Sequence, residues 1–190
     1  MSNSLRDKVV VVTGASSGIG RSIALESASR GATVILMARH QDKLEEIANE
    51  ARQLSGNEVY VFPTDISKAD QIDRAFNEIV SHVDHIDYLV NAAGFGVFKE
   101  FLETSPQVMT EMFQTNVLGL MYLTRLVARV MIDQKQGQII NFGSIAGIVP
   151  TTKTAVYSAN KAAIIQFSNV LRLELKPFGV KVMTVNPGPV

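Results

Sequence analysis

Six short runs of mostly β-branched, almost uninterrupted apolar residues constrain this chain more than any other feature. They fall at Lys8–Val12, Thr33–Met37, Glu58–Phe62, Tyr88–Val90, Gln138–Phe142 and Val180–Val185. Five longer segments separate them, with apolar residues at helical spacing: Ile19–Arg30, Asp42–Leu54, Lys68–His82, Pro106–Asp133 and Thr154–Leu175. Strands that are apolar throughout are expected where helices cover both faces of a sheet. Alternation of such strands with helical crossovers predicts a parallel, doubly wound α/β sheet in three layers. Pro106–Asp133 reads as two helices meeting near Asn116. Gly31 and Gly56 follow helices, Gly137 precedes a strand, and Pro177 with Gly179 closes the last helix. With no repeat, low-complexity tract or linker, residues 1–190 read as one domain.

Composition narrows the function classes. At 46% hydrophobic and 19% charged residues, the chain is too apolar for a disordered protein. Its 18 basic and 18 acidic residues leave no net charge and no clustered basic patch, which argues against nucleic acid. Without cysteine there is no disulfide framework, thiolate metal site or cysteine nucleophile. His40, His82 and His85 lack ligand-like spacing, so no metal is expected. The polar Met1–Lys8 does not resemble a secretory signal. The apolar stretch Val117–Ile132 carries Arg125 and Arg129 and falls short of the roughly 20 residues a membrane span needs. The expectation is a soluble, cytoplasmic protein without a membrane partner.

The first strand runs into Thr13-Gly14-Ala15-Ser16-Ser17-Gly18-Ile19-Gly20 and then a helix. In such a loop Gly14 permits the tight turn and Gly18 lets the backbone approach a ligand. Gly20 allows close packing of helix on sheet, and the helix N-terminus offers free N–H groups to a pyrophosphate. The spacing, T-G-x-x-x-G-x-G, resembles the cofactor loop of the short-chain dehydrogenase/reductase family. The remaining motifs agree in order. Asp65, with Ile66, matches an adenine-contacting aspartate, and Asn91-Ala92-Ala93-Gly94 is similar to the family's N-N-A-G element, with Ala92 for the second Asn. Asn116, Ser144 and Tyr157-x-x-x-Lys161 match a catalytic tetrad. Asn186-Pro187-Gly188 matches the element beside the nicotinamide, where Pro187, Gly188 and Val190 are the candidate contacts. The resemblance spans Lys8 to Val190 and implies a Rossmann-type sheet of order 3-2-1-4-5-6. Cofactor contacts are expected from Gly14, Ser16, Ser17, Gly18, Ile19, Gly20, Asn91, Ala92, Ala93, Gly94, Tyr157 and Lys161.

The end of the second strand selects between cofactors. An acidic residue there binds the ribose 2′-hydroxyl of NAD, whereas an Arg accommodates the 2′-phosphate of NADP. Here the residues are Ala38 and Arg39. A guanidinium facing a phosphate dianion is a strong charge-assisted pair, so NADP(H) is expected over NAD(H).

Hydride transfer to a carbonyl carbon leaves the protein to supply a proton and hold the oxygen. Tyr157 and Lys161 are four apart on an expected helix and so share a face. An ammonium within about 4–6 Å favours a nearby phenolate by roughly 1.4–4 kcal/mol, which suits Tyr157 to general acid–base work. Ser144 follows the fifth strand, at the carboxyl edge where open α/β sheets bind ligands, and can donate to the substrate oxygen. The resemblance implies that Lys161 also bonds the nicotinamide ribose and that Asn116 helps hold a water linking the lysine to solvent.

Three phenylalanines, Phe95, Phe98 and Phe101, follow the fourth strand and form either an apolar wall beside the nicotinamide or a cover for adjoining helices. Family members continue past the position of Val190 with a threonine, a helical lid and a seventh strand. The resemblance therefore implies a fragment of a longer protein, lacking the lid and the last strand. Surplus apolar surface on 106–133 and 154–175 points to a homodimer or homotetramer through these helices. The expected function is an NADP(H)-dependent oxidoreductase acting on a small carbonyl compound or secondary alcohol. The alternative is a catalytically impaired NADP-binding regulatory or sensing protein of the same fold.

Overall fold

The computed structural model describes residues 4–188. Strand β1 (Val9–Thr13) leads to helix α1 (Gly18–Ser29), then β2 (Thr33–Ala38), α2 (Gln41–Ser55), β3 (Val59–Pro63), α3 (Ala69–His82) and β4 (Tyr88–Asn91). A long helical run follows: α4 (Pro106–Phe113), a π-helical stretch Gln114–Gly119 and α5 (Leu120–Gln134). Strand β5 (Gly137–Phe142), helix α6 (Ala155–Leu175) and β6 (Val180–Val185) complete the order. The six strands form one parallel sheet, β3-β2-β1-β4-β5-β6. This is the Rossmann-type order, and it puts the reversal of winding between β1 and β4, where such sheets bind ligands.

The strand pattern has a direct physical cause. All five residues of β1 are buried, but on opposite faces. Val9 and Val11 join a core with Ile72, Ile79, Leu123, Val127 and Met131 from α3 and α5. Val10 and Val12 join a second core with Ala24 and Ala28 of α1 and Leu44, Ile47 and Ala48 of α2. Strand β6 departs from the expectation of strands buried on both faces. Val180 and Val182 are buried on the α6 side, while Lys181 and Met183 are exposed, Met183 by 46%. No described helix lies over that second face of β6, so its burial alternates.

The run 106–134 also differs from two helices that meet. Phe113, Gln114 and Gly119 keep right-handed helical backbone angles, so the helix continues through Asn116 and widens into a π turn there instead of breaking. Such turns are frequent at functional sites. The continuous run is 29 residues, longer than its apolar stretch suggested, and it is long and apolar enough to cross a membrane by length and composition alone. Half of its most apolar window is nevertheless buried within the fold, with Leu120, Leu123, Val127 and Met131 turned inward.

Candidate active site

The carboxyl ends of β1, β2, β3 and β4 surround a cleft of about 310 Å³. Its floor is the glycine loop. Gly14 adopts φ +65°, and a Cβ there would stand 2.8 Å from the backbone N and Cα of Ala93. Thr13 joins the same two loops from the other side: its hydroxyl accepts from Ala93 N at 3.1 Å. At Gly20 a Cβ would overlap the Gly14 carbonyl, so the first turn of α1 can sit this close only as glycine. Gly18, at φ +52°, faces open space. The N-cap of α1 is Ser17, whose side chain makes no capping bond, and the first turn holds no acidic residue. Free N–H groups and the positive end of the helix therefore face the cleft.

At the rim, Arg39 is exposed and makes no ion pair among the described residues. Asp65 lines the cleft too. One of its carboxylate oxygens accepts from Ser67 N at 2.9 Å and Ser67 Oγ at 2.7 Å, which fixes its direction. Ser16, Ser17, Ile19, Ile66, Ala92, Ala93 and Gly94 complete the lining from the expected residues.

A second cavity of about 590 Å³ shares Ile19, Ala92, Gly94 and Phe95 with the first, so the two form one continuous crevice. Ser144, Tyr157, Lys161, Pro187 and Gly188 all line it. Ser144 follows β5 and its Oγ accepts from Ala146 N at 3.1 Å, which leaves the hydroxyl hydrogen free to donate. Tyr157 and Lys161 sit one turn apart on α6, with Lys161 Nζ 5.6 Å from the centre of the Tyr157 ring. Nζ donates to the Phe142 carbonyl at 2.8 Å. Burial lowers the Lys161 pKa to about 8, because the surroundings disfavour its charged form. The Tyr157 hydroxyl makes no hydrogen bond among the described residues.

Two expected site residues lie elsewhere. Asn91 does not line the crevice. Its side chain turns to the α5 side of the sheet, where Nδ2 donates to Thr124 Oγ1 at 2.9 Å and to Asn141 Oδ1 at 2.8 Å. Asn141 in turn donates to Ser168 Oγ at 2.9 Å, forming a buried polar chain from α5 to α6 beneath the site. Asn116, 1% exposed, also lies behind the wall. Its Oδ1 accepts from Phe95 N at 2.9 Å and its Nδ2 donates to Phe95 O at 2.8 Å, clamping the loop after β4. Its side-chain amide thus holds backbone and does not face the cavity. The Val190 contact falls outside the described residues.

Other lining residues were not singled out from sequence: Thr64, Thr115 and His40 in the first cleft, Thr151 and Thr154 in the second. Only Thr64 and His40 carried a usable signal, since Thr64 follows directly on β3 and His40 lies two residues past β2.

The family model described as short chain dehydrogenase matches residues 8–190. The chain belongs to the short-chain dehydrogenase/reductase family. An uncharacterised oxidoreductase of Staphylococcus aureus is 36% identical over 186 residues, 98% of this chain and 79% of the relative. A metagenomic short-chain oxidoreductase in complex with NADP superposes with a TM-score of 0.93 at 34% identity, covering 100% of this chain and 85% of that one. An NAD+-bound xylitol dehydrogenase gives 0.93 at 29% identity, over 97% and 71%. These similarities support an oxidoreductase of a family that uses nicotinamide cofactors.

Proposed function

We propose that this short-chain dehydrogenase prefers NADP(H) and interconverts a carbonyl compound and a secondary alcohol. One observation carries the reading: Ser144, Tyr157 and Lys161 line a cavity continuous with the glycine-loop cleft. The cleft fits a dinucleotide. Its left-handed glycines and uncapped α1 N-terminus suit a pyrophosphate, and Arg39, without an ion pair among the described residues, suits with Ala38 a 2′-phosphate in place of a bare hydroxyl. Similar structures include both an NADP complex and an NAD+ complex, so the preference rests on Ala38 and Arg39.

The nicotinamide, when bound, supplies or accepts the hydride at its C4. Everything else falls to the chain. Ser144 donates its free hydrogen to the substrate oxygen as negative charge builds there. Tyr157 delivers a proton to that oxygen in reduction and removes it in oxidation. Below about pH 8 Lys161 is an ammonium, which stabilises the phenolate left by that transfer. Asn116 contributes by fixing Phe95, one of the four residues common to both halves of the crevice.

Consumption of NADPH with a panel of aldehydes and ketones tests the reaction. Turnover supports it. Tight NADPH binding with no turnover of any carbonyl would replace it with the sensing role.

The exposed apolar residues Leu118, Val170 and Leu173 on helices 106–133 and 154–175 support a homodimer or homotetramer through those helices. Light scattering decides this, and a monomer at high concentration would refute it.

A further inference from the structure

Building on the oxidoreductase reading, we propose that Phe98 determines specificity, so that the cavity takes carbonyl compounds bearing a flat apolar group, held against Tyr157. The Phe98 and Tyr157 rings meet edge to face, 5.3 Å between centres and 62° between planes. This meeting depends on Gly96, where a Cβ would stand 2.9 Å from Phe98 Cζ and 3.0 Å from Tyr157 Cδ2. A side chain at 96 would push the two rings apart.

Phe98 is also 60% exposed, an unfavourable place for an aromatic face unless something covers it. Phe95, Ile145 and Val149, between 40% and 52% exposed, line the same cavity and extend the apolar wall. Clustered exposed apolar side chains around a concavity mark a ligand surface. The lining also argues against polar substrates. Among the described residues its only charged side chain is Lys161, and none of them brings a carboxylate, carboxamide or imidazole to the lining. Discrimination in favour of a polyhydroxy or carboxylate substrate needs such fixed polar partners. A ring next to the carbonyl carbon can instead lie on Phe98 while its oxygen reaches Ser144 and Tyr157. At about 590 Å³ the cavity has room for a substituted aromatic ketone.

The test compares acetophenone with dihydroxyacetone, in the unaltered chain and in Phe98→Ala and Phe98→Tyr. The unaltered chain should favour acetophenone. Phe98→Ala should lower the ratio of kcat/KM for acetophenone over dihydroxyacetone about tenfold, mostly through the KM for acetophenone. Phe98→Tyr should retain the preference. Titration calorimetry of acetophenone with the NADP+-loaded chain should show a matching loss of affinity in Phe98→Ala, with or without turnover. Failure of the unaltered chain to reduce any carbonyl would remove the redox reading, and the calorimetric comparison would still judge Phe98. Equal losses for both ketones, or unchanged acetophenone affinity in Phe98→Ala, would overturn the assignment.

Discussion

Replacing Lys161 with Met should change how the stability of this protein depends on pH. Burial brings the Lys161 pKa from 10.5 down to about 8 in the folded chain. Between those values the unfolded chain holds a proton that the folded chain does not. Unfolding free energy contributed by this residue therefore rises with pH across that window. The cost of burying the ammonium is fully present below about pH 8 and is gone above 10.5. At about 1.4 kcal/mol per pH unit, the whole change is about 3 kcal/mol. Lys161→Met lacks this dependence, because methionine does not titrate. The variant also loses the bond to Phe142 O, which sets its baseline stability and contributes little to the slope. Urea unfolding of both proteins at intervals from pH 7 to pH 10 provides the measurement, and other titrating groups cancel in the difference. The variant should gain on the parent at neutral pH, and that advantage should shrink by most of about 3 kcal/mol as pH rises. Parallel curves would refute the claim that this amine is buried at a cost. In the parent, carbonyl reduction should decline as pH rises through about 8, as the ammonium beside Tyr157 loses its proton.

Three further outcomes follow from the same geometry. Ala38→Asp combined with Arg39→Ser should move the ratio of kcat/KM for NADPH over NADH at least tenfold toward NADH, since a charge-assisted phosphate contact contributes about 1.5–3 kcal/mol; steady-state kinetics with both cofactors checks it, and an unmoved ratio counts against Arg39. Gly119→Ala should lower Tm by several degrees, because the added Cβ overlaps the Ile66 carbonyl and overpacking typically costs about 1–3 kcal/mol; a calorimetric scan reads it, and an unchanged Tm contradicts the close crossing. Asn116→Leu removes both bonds to the Phe95 backbone and should speed amide exchange at Phe95 while raising KM for the cofactor; slow exchange retained at Phe95 would show that the clamp is dispensable.

Much of the architecture was legible because the signals were local. Strands buried on both faces announce themselves as unbroken apolar runs, and Gly14, Ser144 and Tyr157 each sit at a recognisable distance from a strand end or helix start. What could not be read depended on partners far along the chain. Asn91 and Asn116 are polar residues beside the site, and only the fold shows one amide committed to Thr124 and Asn141 and the other to Phe95. An asparagine facing a ligand and one holding a backbone look the same in sequence. The π turn escaped notice because its residues keep helical angles and ordinary helical spacing. The single-sided burial of β6 had one local signal, Lys181 between Val180 and Val182, and the apolar Met183 masks the alternation beyond it. The choice left open for the loop after β4 resolves unevenly: Phe95 and Phe98 line the cavity, while Phe101 does not.

The central claim is that the Tyr157 hydroxyl exchanges a proton with a substrate oxygen in a crevice that binds the cofactor independently of it. Tyr157→Phe, assayed for NADPH affinity by fluorescence titration and for carbonyl reduction in the same preparation, tests this most directly. The account predicts a kcat lowered by about two to four orders of magnitude with cofactor affinity essentially unchanged. Substantial turnover in that variant would contradict it.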